Sequence, residues 1–100
     1  MSSPEPPLTN SAGYQTEELN SANTAERVIP IGRSTSSVIM RALPANSGML
    51  YIGFDNNVTV TNGFPLEAGD SLSLDIDVDK QPIWMNGDTT GDEMSWLALE

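Results

Sequence analysis

Two groups of acidic residues in the second half of the chain could bind a divalent cation. The first group is Asp75, Asp77 and Asp79, which alternate along a predicted strand and its end, so that their carboxylates share one face. Crowded oxygen ligands of this kind suit Ca²⁺. The EF-hand spacing fails, because Lys80 stands where the loop glycine belongs and Asn86 where the bidentate glutamate belongs. The alternative is a solvated face whose charges protect an apolar strand from aggregation.

The second group is Asp88, Asp92 and Glu93, which lie in a loop that also contains Gly87 and Gly91. These carboxylates could hold Ca²⁺ or meet a basic partner. A polar hairpin loop explains the same composition without any ligand. We therefore assign neither group as a metal site and predict no cofactor.

Catalytic residue types are scarce in this sequence. The 100 residues include no Cys and no His, which removes thiol chemistry and the commonest general base and metal ligand. No glycine-rich segment has the pattern of a phosphate-binding loop, and no nucleophile motif is present. The sequence predicts that the protein is not an enzyme.

Two tryptophans and three arginines are candidates for binding a partner. Trp84 and Trp96 lie on adjacent predicted strands and could form an exposed platform for sugars, although such residues more often fill the core of a small sandwich. Three of the four cations are arginines, namely Arg27, Arg33 and Arg41. They could pair with acids of a neighbouring subunit or with acids nearby in the same chain.

The charge of the chain is strongly negative and unevenly distributed. The formal net charge is −10, and residues 51–100 hold ten of the fourteen acids and one lysine. Such a surface repels phosphate backbones and anionic lipids, so we predict neither a nucleic-acid partner nor a membrane partner. With no evident export signal or apolar membrane-spanning run, we expect the protein to be made in the cytoplasm of its host.

The elements that position these residues fall into an arm and a body. Residues 1–25 are rich in Ser, Pro, Asn, Thr and Glu, and we predict an extended or disordered N-terminal arm there. Pro4, Pro6 and Pro7 favour a polyproline-like start. If the arm orders on a partner, Tyr14 and Leu19 are its anchors.

Residues 26–100 are predicted to form a β-sandwich domain. Six or seven short segments read as strands, separated by turn signals every ~8–12 residues, as in antiparallel sandwiches and barrels. Alternation is clearest at Val58–Thr61 and at Leu72–Val78, which flank a turn-rich connector, whereas Ser37–Leu43 is apolar on both faces and reads as a central strand. The predicted fold is all-β, a small antiparallel β-sandwich or jelly-roll-like barrel with an extended N-terminal arm.

The connector and its flanks carry a resemblance that covers Val38 to Leu99. A strand ending in glycine (Tyr51-Ile52-Gly53) is followed by the turn Asn62-Gly63-Phe64-Pro65-Leu66-Glu67-Ala68-Gly69-Asp70-Ser71-Leu72, by Ile83-Trp84-Met85, and by the late strand Trp96-Leu97-Ala98. This order resembles that of small virion structural proteins of tailed bacteriophages, most of all the head decoration (capsid cement) proteins.

The resemblance implies a non-enzymatic protein that decorates and stabilises a phage capsid. Its expected partners are the major capsid protein and further copies of itself, with a trimer favoured, and its expected location is the virion. The alternatives are a phage neck, tail or fibre component, or a receptor- or carbohydrate-binding module.

Overall fold

Eight β-strands form two antiparallel sheets in the computed structural model, which describes residues 13–29 and 34–100. The strands are β1 (Gly13–Glu18), β2 (Glu26–Val28), β3 (Ser37–Ala42), β4 (Leu50–Gly53), β5 (Phe64–Leu66), β6 (Ser71–Leu74), β7 (Ile83–Gly87) and β8 (Glu93–Leu99). The described ranges contain no helix. The prediction of an all-β antiparallel sandwich is confirmed.

The first sheet has the strand order β1-β8-β3-β6. Residues paired directly across antiparallel strands point to the same face, so the register defines which side chains share a side. Met40 pairs with Trp96 and with Leu72, and Val38 pairs with Ala98 and with Leu74. These residues make up much of this sheet's contribution to the core between the sheets.

The second sheet has the order β2-β7-β4-β5 and supplies the opposite side of the core. Its alternate residues that point inward are almost fully buried: Val28, Leu50, Ile52, Leu66, Ile83 and Met85. With these residues and the inner face of the first sheet, the core is a single apolar cluster of the kind expected for a two-layer domain.

The arm prediction for residues 1–25 differs from the structure at its C-terminal part. Residues 1–12 lie outside the described residues, but Gly13–Glu18 is a strand of the first sheet that pairs with β8 over its whole length. Leu19 follows β1 and is completely buried, and its amide donates to the carbonyl of Asp92 at 2.8 Å. The ordered body therefore includes residues that composition alone assigned to the arm, because a polar strand can join a sheet through backbone hydrogen bonds.

The predicted strand at Val58–Thr61 is wrong. This segment belongs to the β4–β5 loop, in which side chains bond to nearby backbone amides instead of leaving them for a strand partner. The Asn62 side chain accepts a hydrogen bond from the Thr59 amide at 2.8 Å, and the Thr59 hydroxyl accepts one from the Thr61 amide at 3.1 Å. Val58 is nevertheless buried, because the loop folds back over the outer face of the second sheet.

The neighbouring boundaries differ from prediction for local reasons. Phe64–Leu66, predicted as part of the connector, is β5, and its Pro65 is tolerated because β5 is the edge strand of its sheet. The predicted strand Leu72–Val78 ends at Leu74. The segment from Pro30 to Arg33, predicted to complete a first edge strand, lies outside the described residues.

Candidate interaction surface

The outer face of the first sheet carries two parallel rows of side chains. Pairing of β1, β8, β3 and β6 places Tyr14, Leu97, Ile39 and Ser73 in one row, which we call the apolar row. The adjacent row, which we call the polar row, contains Thr16, Ser95, Arg41 and Ser71. The two rows arise because β3 and β8 alternate between buried and outward positions, and several of the outward residues are apolar.

The apolar row is open to solvent. The exposed fractions are 83% for Tyr14, 41% for Leu97 and 37% for Ile39. Exposed apolar side chains that lie together in one row, unlike those scattered singly, are a feature that interaction sites share. Arg41 is also exposed and lies in the polar row beside them.

A shallow groove of ≈ 560 Å³ runs between the two rows. Its walls come from three strands, and the eight lining residues include one cation and no acid: Tyr14, Gln15, Thr16, Ile39, Arg41, Ser95, Trp96 and Leu97. Trp96 points mainly inward, and its indole N–H donates to the Glu17 carboxylate at 3.1 Å. This bond fixes the edge strand β1 to β8 and so holds Tyr14 at the rim of the groove.

The groove suits an apolar ligand that carries a negative charge. Tyr14, Ile39 and Leu97 offer aromatic and aliphatic surface, and the Arg41 guanidinium can donate hydrogen bonds to a carboxylate. The lining has hydroxyl groups but no histidine, cysteine or acid that could activate them as nucleophiles.

The structure brings two of the predicted partner-binding residues to this groove and separates the others. Tyr14 and Arg41 both line it. Leu19 lies in the core and cannot anchor a partner, and Arg33 lies outside the described residues. Arg27 is on the second sheet, where it pairs with Trp84 in the β2–β7 register, and its Nε is buried without a hydrogen-bond partner.

Sequence reasoning missed Ile39 and Leu97 as surface residues. The sequence did contain a signal for them, since Ser37–Leu43 has apolar residues on both faces. We interpreted this pattern as burial of both faces. β3 is central, as predicted, but only the alternate residues Val38, Met40 and Ala42 are buried. The outward apolar residue therefore indicated an uncovered face rather than a second core.

The two tryptophans do not form one aromatic platform. Trp84 lies in β7 of the second sheet, and Trp96 lies in β8 of the first sheet. Trp96 is only 3% exposed, and Trp84 is half-buried on the outer face of the second sheet. The expectation that they occupy adjacent strands is wrong, because the chain changes sheets between β7 and β8.

The first acidic group is used for local hydrogen bonds. Asp77 lies beyond the end of β6, and its carboxylate accepts bonds from the amide of Thr35 at 3.1 Å and from the amide of Asp79 at 3.0 Å. These bonds, chiefly the one from Thr35, lower the pKa of Asp77 below its usual value, with a smaller contribution from the charge of Lys80. The alternation that suggested a shared face with Asp75 is not strand geometry, because β6 ends at Leu74.

The second acidic group contains a structural clamp. Asp92 is buried, and its two carboxylate oxygens accept hydrogen bonds from the amides of Ser47 at 2.9 Å and Gly48 at 2.8 Å. Next to it, the Asn46 side chain and the Glu93 backbone exchange two hydrogen bonds of 2.8 Å. A cation would have to displace these donors, and within residues 13–29 and 34–100 no cluster of three potential metal ligands is assembled.

Comparisons with known proteins give no family to which the chain can be assigned. No family model matches it, and neither the curated proteins nor the solved structures yielded a significant match. In the part of the chain that the structure describes, no helix is long and apolar enough to cross a membrane.

Proposed function

We propose that this protein is a non-enzymatic virion component that decorates and stabilises the capsid of a tailed phage. The observation that supports the proposal most directly is the outer face of the first sheet, where the apolar row lies exposed beside Arg41. A cement protein needs such a binding face on a compact body and needs no catalytic machinery.

The partners in this proposal are the major capsid protein and further copies of the chain, as a trimer. A body of this size has a small core, and burial of exposed apolar surface against neighbours adds stability that the core alone does not provide. The acidic second half of the chain then faces solvent or meets basic patches of the shell, since like charges on crowded copies repel one another.

Binding to assembled capsids of the phage that encodes the chain tests the proposal. The purified full-length protein is mixed with shells that lack it, and separately with free capsid subunits, and bound protein is measured after sedimentation. We expect saturable binding to shells at many copies per particle and no binding to free subunits.

A pair of matched variants tests the role of the outer face. Tyr14→Ser removes an exposed aromatic ring from the edge strand β1, and Phe64→Ser removes one from the edge strand β5 of the other sheet. We expect the first change to weaken shell binding by at least about tenfold, or about 1.4 kcal/mol, and the second to leave it unchanged. Absence of binding to shells, or detection at only a few copies per particle, would replace the decoration role with a neck, tail or fibre role.

A further inference from the structure

We propose that the groove of each copy binds residues Pro4 to Leu8 of a neighbouring copy. This assignment rests on the proposed function, which requires an oligomer, and it names the segment that the groove binds. The occupant is a short proline-rich segment of the same chain, delivered from outside the subunit that binds it.

The groove has the chemistry that recognises such a segment. Extended proline-rich peptides dock on exposed aromatic and aliphatic side chains, and their stiffness reduces the entropy lost on binding. Tyr14 stands at the rim with 83% of its surface exposed, and Leu97 and Ile39 continue the apolar row inward. Arg41 in the polar row adds one positive charge to a lining that has no negative charge.

The sequence Pro4-Glu5-Pro6-Pro7-Leu8 complements this lining. A polyproline helix repeats every three residues, so Pro4 and Pro7 lie on the same face and can both contact the apolar row. Glu5 is the only charged side chain among the first twelve residues, and Arg41 is the only cation in the groove. Leu8 adds an aliphatic side chain at the end of the segment.

The dimensions agree with this assignment. Five residues in a polyproline helix extend about 16 Å at ~3.1 Å per residue. The groove crosses β1, β8 and β3, whose axes span roughly 10 Å at ~4.8 Å between neighbouring strands. The segment is therefore long enough to contact both Tyr14 at one side and Arg41 at the other.

Chain direction favours a neighbouring copy over the same copy. The groove is flanked by residues 14–16, and the segment is joined to β1 by the four residues that separate Leu8 from Gly13. To reach the groove of its own subunit, the chain would have to reverse direction within those four residues. A head-to-tail contact between copies needs no reversal, and it closes into a ring, such as a trimer, when the rotation between copies allows it.

Charge reversal in the full-length chain tests the proposal. Glu5→Arg and Arg41→Glu each place like charges together in every groove, so we expect each variant to self-associate with a dissociation constant raised at least about tenfold in analytical ultracentrifugation. When the two variants are mixed, the groove of one variant can bind the segment of the other, so opposite charges face each other at two of the three contacts of a mixed trimer. We expect the mixture to associate more tightly than either variant alone, and the double variant Glu5→Arg with Arg41→Glu, which restores opposite charges at every contact, to associate as the wild type does.

Two surface variants with the same changes in charge serve as controls. Glu67→Arg and Lys80→Glu alter exposed residues outside the groove, and we expect both to associate as the wild type does. Thermal unfolding establishes that each variant is folded. The variant Pro4→Ser with Pro7→Ser leaves the body intact, and we expect it to weaken association in the same assay even if Arg41→Glu does not fold.

Several outcomes would overturn the inference. These are a wild-type protein that is monomeric at all concentrations, single variants that associate normally, or a mixture that stays dissociated. If the Glu5→Arg with Arg41→Glu double variant recovers association but the mixture of single variants associates no better than each alone, each segment binds its own subunit and the neighbour assignment is wrong. Shell binding is measured separately, so its loss with intact mixing behaviour would refute the decoration role and leave the groove assignment in place.

Discussion

Removal of the Asp92 carboxylate should destabilise the whole domain, although this residue lies in a loop. Asp92 is buried at the junction of two loops, and its oxygens accept hydrogen bonds from the Ser47 and Gly48 amides at 2.9 and 2.8 Å. Those amides belong to the turn that leads into β4, so the carboxylate links the start of β8 to a strand of the other sheet.

The size of the effect follows from these contacts. A hydrogen bond to a charged group contributes about 1.5–3 kcal/mol when it is shielded from water. Ser47 is exposed and Gly48 half-buried, so water can replace part of what is lost. We therefore expect Asp92→Ala to lower the free energy of unfolding by roughly 2–4 kcal/mol, which corresponds to a fall in Tm of about 8–32 °C for a domain of this size.

Urea unfolding monitored by tryptophan fluorescence measures this change, because Trp96 is in the core. The matched control is Asp88→Ala, which removes an exposed acid of the same loop whose carboxylate accepts a bond from the neighbouring Thr89 hydroxyl. We expect the control to change stability by less than about 0.5 kcal/mol. Equal effects of the two substitutions, or an unaltered unfolding midpoint for Asp92→Ala, would refute the claim that the Asp92 carboxylate stabilises the domain through its two hydrogen bonds.

Three further predictions concern the loop over the second sheet, the acid response and the edge strand. Gly53→Ala places a Cβ 2.6 Å from Cβ of Val58, so we expect a loss of about 1–3 kcal/mol in urea unfolding, and a neutral result would show that the loop is not packed there. Hydrogen bonds lower the pKa of Asp77 below 3.8 in the folded state, so the Asp77 carboxylate stabilises the protein above pH 3.8, and this contribution is lost as the pH falls through the lowered pKa. The difference in the free energy of unfolding between wild type and Asp77→Asn should therefore be largest at neutral pH and shrink towards pH 3. A difference that does not change with pH would contradict this explanation. Glu18 lies directly opposite Glu93 in the β1–β8 register, so Glu18→Lys should raise the free energy of unfolding by about 0.2–1 kcal/mol at low salt, with a smaller gain in high salt, and a loss would contradict the pairing.

The sequence alone determined the fold class and the strongest strands. Ser37–Ala42 and Glu93–Leu99 were predicted as strands from their runs of apolar residues between turn-forming segments, although the single buried face of each was recognised only in the structure. Turn-forming residues between the strands then predicted an antiparallel sandwich. These are local properties of the chain, so no knowledge of distant contacts was needed.

Local patterns failed where side chains bonded to their own backbone. Val58–Thr61 has the alternation of a strand, but the Thr59 and Asn62 side chains satisfy nearby amides and favour a compact loop. Burial of Val58 then comes from the glycine at position 53, which leaves room for it on the outer face of the sheet. Whether an alternating segment becomes a strand or a loop depends on contacts with residues that are distant in the sequence.

The candidate site was decided by tertiary structure. Tyr14 and Arg41 were each singled out from the sequence, but only the pairing of β1 with β8 and of β8 with β3 places them around one groove with Leu97. The same long-range order put Leu19 in the core. Residue types can be read from each segment alone, whereas neighbours across a sheet depend on the register of strands far apart in the chain. The sequence therefore indicated which residues could bind a partner, and the strand order determined which of them lie together.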